Sequence, residues 1–293
     1  MGRPLRFAVG LPNVRAYGDP RALVRLGELA ERSGWDGVFV WDNLAVRDGQ
    51  APYPVADPWA VMAALAVTTR SVRLGVMVTV LPRRLPAEVA RQSVTVDVLS
   101  GGRLIFGAGL GSHAEDEFAC FGQDPDPVVR GEKLDEALDV LVGLWTGERC
   151  TVQGRWFTVR DQTFLPTSPQ QPRMPVWIAG RWPSRRPFRR AARWDGVFPA
   201  YGAYGTATAM PPEVLAEIVA FVRRHRDPAL GPVDVVLEGE TAGTDPVREA
   251  ERIQRYREAG LTWWVEKLGW FRGDLDLVER RIAAGPPRTR AAA

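Results

Sequence analysis

The side chains with chemical capability gather where apolar runs end. Asp42 and Asn43 follow Gly37–Trp41, and Thr79 lies near the end of an apolar run that starts at Val72. Gly109-Leu110-Gly111-Ser112-His113 follows Arg103–Ala108, and Gly180-Arg181-Trp182, with Ser184 beyond, follows Val176–Ala179. With only His113 and His225 in the chain, no nucleophile–histidine–acid set can be assembled. His225 reads as a solvated cap at a helix end, whereas His113 stays open between a general acid and an ordinary loop residue. Asp42, Glu115, Asp116 and Glu117 are acidic, but convergent histidine ligands are missing, which argues against metal catalysis. His113 and Glu117, four residues apart, fit one turn of a short helix. Glu238, Glu240 and Glu266 are the strand-end carboxylates a sugar hydrolase would need as a pair, and nothing pairs them.

Gly109-Leu110-Gly111 lacks the third glycine of a dinucleotide fingerprint and reads as a tight turn. A better anion site is Gly180 with Ser184, where a helix start would offer free backbone N–H groups to a phosphate. Arg181, Arg185 and Arg186 add charge beside it, and Arg189 and Arg193 extend one face of that helix. The competing reading is an exposed basic helix in a chain that prefers arginine, its only lysines being Lys133 and Lys267. An aromatic, glycine-rich rim with one phosphate site points to a bound organic cofactor as the source of reactivity.

The elements that must position these residues repeat. Trp-Asp-Gly-Val-Phe occurs at Trp35–Phe39 and again at Trp194–Phe198, each time between a helical stretch and a short apolar strand. Strands are expected at Leu5–Leu11, Gly37–Trp41, Val72–Val80, Arg103–Ala108, Val176–Ala179, Gly196–Pro199, Val233–Leu237 and Thr262–Lys267. Helices are expected between them, two starting at the Asp-Pro pairs Asp19-Pro20 and Asp57-Pro58, the fourth at Val129–Trp145 and the fifth at Ser184–Arg193. Eight strand–helix units favour a closed (β/α)8 TIM barrel in the α/β class, whose site lies at the C-terminal ends of the strands. A hairpin at Cys150–Val159 interrupts the rhythm as an insertion between helix four and strand five.

The chain has 293 residues, 45% hydrophobic and 25% charged, enough for one barrel domain over residues 1–285 with a disordered tail at 286–293. A net charge of +3 gives no case for a nucleic-acid partner. No run approaches membrane-spanning length, and Cys120 and Cys150 read as reduced thiols of a cytoplasmic protein.

Several short segments, in order, resemble the bacterial luciferase-like family of flavin-dependent monooxygenases and F420-dependent oxidoreductases. They are Leu74–Thr79, Leu81-Pro82-Arg83-Arg84, Leu99–Leu104, Gly107–Gly111, Leu134–Leu138, Gly143-Leu144-Trp145, Pro175–Gly180 and Ala192–Phe198. The resemblance implies a (β/α)8 barrel with an insertion before strand five. It implies a flavin or deazaflavin ring over strand three, at Met77, Val78 and Thr79, with a non-proline cis peptide at Met77–Val78. Asp42 would sit beside the ring, Ser112 and Glu115 near the cofactor side chain, and Gly180, Arg181 and Trp182 at its phosphate. Alcohol-oxidising members often carry a histidine where this chain has Asn43. The expected activity is F420-dependent hydride transfer on a small-molecule substrate, with Asn43 and His113 orienting it. The alternative is an FMN-dependent monooxygenase fed by a separate reductase. A homodimer is expected, and a non-catalytic binding protein on the same barrel is the minor alternative.

Overall fold

In a computed structural model, residues 4–48, 51–202 and 209–287 are described; positions 288–293 of the expected tail lie outside them. Eight apolar runs form parallel strands: β1 Arg6–Leu11, β2 Gly37–Val40, β3 in two segments (Arg73–Val76 and Thr79–Val80), and β4 Phe106–Gly109. The remaining four are β5 Val176–Arg181, β6 Gly196–Ala200, β7 Asp234–Gly239 and β8 Trp263–Lys267. The eight major helices are α1 Pro20–Arg32, α2 Pro58–Thr68, α3 Pro86–Ser100, α4 Pro127–Trp145, α5 Arg186–Ala191, α6 Pro212–His225, α7 Pro246–Glu258 and α8 Leu275–Ala283. Four of them begin with an aspartate just ahead of proline. The Asp19, Asp57, Asp126 and Asp245 carboxylates each accept a first-turn N–H, so the helix start is fixed by local chemistry.

The sheet order runs from the first segment of β3 through β2, β1, β8, β7, β6, β5 and β4 to the second segment of β3. Both ends of that order belong to one interrupted strand, and Leu74 bridges Leu104, so the sheet closes on itself. The interruption falls at the cis peptide Met77–Val78. The continuous strand expected from Val72 to Val80 is therefore corrected to two segments.

Inside the barrel, Phe39, Trp177 and Trp263 pack edge-on with ring centroids 5.3–5.9 Å apart, together with Ala8, Met77, Ile105, Val236 and Val265. Side chains alternate in and out along each strand. The next inward positions toward the C-terminal mouth are Gly10, Trp41, Glu238 and Lys267. Val78 and Phe198, partly exposed, close the top of the interior cluster.

The repeated pentapeptide works at the opposite end. Asp36 Oδ2 accepts the N–H of Phe7 at 2.7 Å, and Asp195 Oδ2 accepts that of Val176 at 2.8 Å. Each copy thus pins the start of the preceding strand, β1 or β5, half a barrel apart. Gly37 and Gly196 leave room for neighbouring Trp263 and Trp177 rings, which a Cβ would meet at 3.2 and 2.1 Å.

Two further boundaries differ from expectation. Strand four starts at Phe106, because the Arg103 side chain folds back to donate to the carbonyls of Ala66, Thr69, Val72 and Ser100. Helix five spans only Arg186–Ala191, since Ser184, just after Pro183, is drawn into a turn on the Arg181 carbonyl. The insertion is a hairpin of Cys150–Gln153 and Thr158–Gln162, its tip held by the Glu136 carboxylate, which accepts N–H groups of Arg155 and Trp156 at 2.9–3.1 Å.

Candidate active site

The end of β2 and the end of β3 are joined by a buried ionic network. The Asp42 carboxylate accepts the Val80 N–H at 2.9 Å, Arg84 Nη2 at 2.7 Å and Arg83 Nη2 at 3.2 Å. Arg83 also lies 3.5 Å from Glu117 Oε2, and the Arg83, Asp42 and Glu117 side chains are at most 3% exposed. Burial pulls the Arg83 pKa down, while Asp42 and Glu117 oppose it. Glu117 accepts the Leu44 N–H at 2.9 Å and the Asn43 side-chain amide at 3.4 Å. Asn13 completes the frame: its Oδ1 accepts the Asn43 N–H and its Nδ2 donates to the Asn43 carbonyl. Asp42 and Asn43 are thus held by neighbours that come from β1, the loop after β3 and the loop after β4.

His113 precedes a one-turn helix, Ala114–Glu117, and is half-buried; Ser112 and Glu115 are exposed. Glu117, rather than Glu115, is the acid that this turn aims inward. Arg130 of α4 carries the loop by donating to the carbonyls of Leu110 and Gly111, both at 3.3 Å.

The residues expected at a phosphate divide. Arg181 is exposed and donates to the Gly202 carbonyl at 2.8 Å, and Ser184 is exposed on the turn. Trp182 is buried against Phe188 and Phe221, with the Arg185 guanidinium 3.7 Å above its ring. A Cβ on Gly180 would meet Pro187 Cβ at 2.5 Å, so this glycine is required by close packing. Arg190 and Arg193 bind Asp135 of α4 at 2.7 and 2.9 Å, which engages Arg193 of the basic face expected on helix five. Arg186 and Arg189 remain exposed there.

The mouth itself suits a flat aromatic group. Val78 and Phe198 give it a partly exposed apolar floor beside the interrupted strand. The Thr79 hydroxyl, next in the chain, is fully buried and has no hydrogen-bond partner among the described residues; its register with Ala108 puts it on the outer side of the strand. A Cβ on Gly109 would meet Val78 Cγ2 at 2.5 Å, so only glycine lets the floor lie where it does. Trp41, Trp270 and Phe271 wall one side, with Trp41 and Phe271 stacked at 12° and 6.4 Å. Glu238 and Lys267 face the same space. The Trp41 indole N–H donates to Glu238 Oε1 at 3.3 Å, and burial pushes the Glu238 carboxyl pKa up, against the pull of Lys267 and that hydrogen bond.

Sequence reasoning named Glu238 only alongside Glu240 and Glu266 and gave Lys267 no role. Glu266 turns away from the mouth, fully buried, bonded to Thr241 at 2.6 and 2.7 Å and to Arg272 at 3.1 Å. Glu240 is exposed beside Arg272. Inward parity separates Glu238 from Glu266: Val236 and Glu238 share a face, as do Val265 and Lys267, whereas Glu240 shares that parity but lies past the end of β7. Among the described residues no group of three or more His, Cys, Asp or Glu side chains could hold a metal ion.

The family model for luciferase-like monooxygenases matches residues 6–289. A protein of Beutenbergia cavernae named F420-dependent glucose-6-phosphate dehydrogenase is 33% identical over 258 residues, 85% of this chain and 72% of that protein. The oxygenase component of a flavin-dependent trigonelline monooxygenase from Acinetobacter baylyi is 28% identical over 166 residues, 57% of this chain and 44% of that protein. Among solved structures, the F420-dependent tetrahydromethanopterin reductase of Methanopyrus kandleri superposes with a TM-score of 0.75 at 17% identity, covering 96% of this chain and 97% of that one. An F420-dependent secondary alcohol dehydrogenase holding an F420-acetone adduct gives 0.75 at 19% identity, with 97% and 99% covered. At these identities the structural likeness speaks for the fold.

Proposed function

Since the chain belongs to the luciferase-like monooxygenase family and is an oxidoreductase of that class, we propose that it is F420-dependent and moves hydride to or from a small organic substrate in its barrel mouth. The carrying observation is the partly exposed floor of Val78 and Phe198 beside the break in β3, which keeps its place because position 109 is glycine. That seat fits a planar ring. The choice of F420 is supported by the named relative that aligns with 85% of this chain.

When bound, the deazaflavin supplies the hydride chemistry. The chain supplies the rest. Met77, Val78 and Thr79 form the bed, and the Asp42 network fixes the turn from β3 so that the bed keeps its shape. Asn43 and His113 border the substrate space from the β2 and β4 sides and orient the substrate. Ser112, Glu115, Gly180, Arg181 and Ser184 line the outer path for the cofactor's side chain and phosphate, with Trp182 packed beneath them. Arg186 and Arg189 are the exposed cations left on α5 for an acidic tail.

A second reading is an FMN-dependent monooxygenase working with a separate reductase. It draws on Asn43, which offers no imidazole base, and on the relative described as an oxygenase component. Mixing the protein anaerobically with reduced F420 and a panel of ketones and enones, and aerobically with reduced FMN, separates the two. Recovery of oxidised F420 absorbance without oxygen supports hydride transfer, whereas oxygen uptake tied to substrate with FMN alone supports the second reading.

The reading extends to assembly and location. α2 is apolar around its whole circumference, and Val67, Val98 and Leu99 of α2 and α3 are 53%, 44% and 46% exposed, which supports a homodimer through these helices. Light scattering of the purified chain tests it. Cys120 and Cys150 are both free thiols, which suits a reducing cytoplasm. Among the described residues no helix is long and apolar enough to cross a membrane.

A further inference from the structure

From the placement of its carboxyl in the barrel mouth, we infer that Glu238 is the residue that exchanges a proton with the substrate as hydride is transferred. The inference rests on the cofactor reading above. A hydride acceptor such as a ketone or an enone gains two electrons and one hydrogen, and the atom left negative needs one proton. Asn43 has none to give at neutral pH, and its amide is engaged with Glu117. Glu238 is the carboxyl on the inner face of the mouth, two positions above Val236 of the interior cluster.

Its surroundings suit that task. The Glu238 side chain leans over β8 toward β1, so that its Oε1 lies 3.3 Å from where a Gly10 Cβ would stand. Glycine at position 10 is what leaves this space open. On the β2 side the Trp41 indole N–H donates to the same oxygen at 3.3 Å. On the β8 side stands Lys267, one of only two lysines in an arginine-rich chain, near enough to act on the Glu238 carboxyl through its charge. Among the described residues Lys267 makes no ion pair within 4.0 Å, and its ammonium lies 5.3 Å from the Phe271 ring and 5.9 Å from that of Trp41. Glu240, just past the end of β7, is the opposing charge. Burial therefore favours the protonated acid, while the lysine and the indole stabilise the carboxylate once the proton has left. A group whose two protonation states are both supported in this way is suited to proton transfer.

The step balances. With hydride supplied to the electrophilic carbon by a bound reduced deazaflavin, the C=O or C=C π pair would move to the neighbouring atom and the Glu238 O–H bond would break to place its proton there. A carboxylate remains, and it regains a proton from water through the mouth. Oxidation of an alcohol runs the same transfer backwards, with the Glu238 carboxylate taking the hydroxyl proton.

The test uses the full chain with glutamate carrying carbon-13 at its side-chain carboxyl. One carboxyl resonance is expected to titrate above the ordinary glutamate range, to vanish in Glu238→Gln, and to titrate still higher in Lys267→Met. Saturating F420 is expected to shift it, with equal F420 affinity in wild type and Glu238→Gln. Single turnover of the reduced-F420 complex with cyclohex-2-enone is expected to slow about a hundredfold or more in Glu238→Gln, within the usual span of general-acid effects. A Glu238 resonance that titrates in the ordinary range, or ignores bound F420, overturns the inference, as does undiminished turnover in Glu238→Gln. Failure of wild type to bind F420 with the elevated titration intact strikes the cofactor reading and still supports Glu238 as the proton-exchanging group.

Discussion

The Asp42 carboxylate accepts the backbone N–H of Val80 at 2.9 Å, so the end of β2 grips the chain just beyond the break in β3. The same carboxylate neutralises Arg83 and Arg84, and Arg83 is almost completely enclosed. Removing one partner of a buried ion pair leaves the other uncompensated, at a cost of about 3–5 kcal/mol. Asp42→Ala is expected to lower unfolding free energy by that amount in urea titrations, and Asp42→Asn by less, since its amide oxygen can still accept the Val80 N–H.

Gly109 tests the floor of the mouth. A methyl group there would stand 2.5 Å from Val78 Cγ2 and push that side chain into the space assigned to the ring. Gly109→Ala is expected to cost about 1–3 kcal/mol in stability through overpacking and to weaken F420 binding at least tenfold. Adding Val78→Ala in the same chain makes room for the methyl group and should recover most of the affinity. Fluorescence titration of both variants checks this.

At the far end of the barrel, Asp36→Ala and Asp195→Ala should each leave a strand-start N–H without its acceptor. The expected loss is about 1–3 kcal/mol apiece, seen as a lower denaturant midpoint. Cofactor affinity should not change, because Phe7 and Val176 start their strands at the end away from the mouth.

Tyr17 gives a pH dependence. Its phenol, 1% exposed, is pushed up to about 12 by burial and by the nearby Asp274 carboxylate. A group whose pKa is raised on folding favours the folded state fully below its unfolded value. That advantage is lost as pH rises from about 10 to about 12. The hydroxyl has no partner among the described residues, so Tyr17→Phe forfeits no hydrogen bond. Alkaline unfolding followed by circular dichroism should begin at higher pH in Tyr17→Phe, with neutral-pH stability little changed.

The barrel was legible because its determinants are local. Asp-Pro helix starts, the apolar runs and the Trp-Asp-Gly handovers can each be read within a few residues. The break in β3 was not legible from pattern, since Val72–Val80 is unbroken in hydrophobicity; the resemblance alone pointed to Met77–Val78. The sequence pattern overextends helix five because its arginines fit a helical face, whereas the turn of Ser184 on the Arg181 carbonyl delays its start and Arg193 lies beyond its end. The Asp42 network joins residues 41 and 75 positions apart in sequence, between Asp42 and Arg83 and between Asp42 and Glu117, which only closure of the barrel brings together. Glu238 and Glu266 are equivalent as strand-end acids. One faces the mouth and the other the α8 side because side chains alternate along a strand.

Equilibrium titration of the purified chain with oxidised F420, and separately with FMN, followed by cofactor fluorescence, bears most directly on the proposal of a deazaflavin seated on Val78. Saturable F420 binding at micromolar or lower concentration is expected, weakened in Gly109→Ala, with FMN bound more weakly. Indifference to F420, or F420 binding that Gly109→Ala leaves untouched, would contradict it.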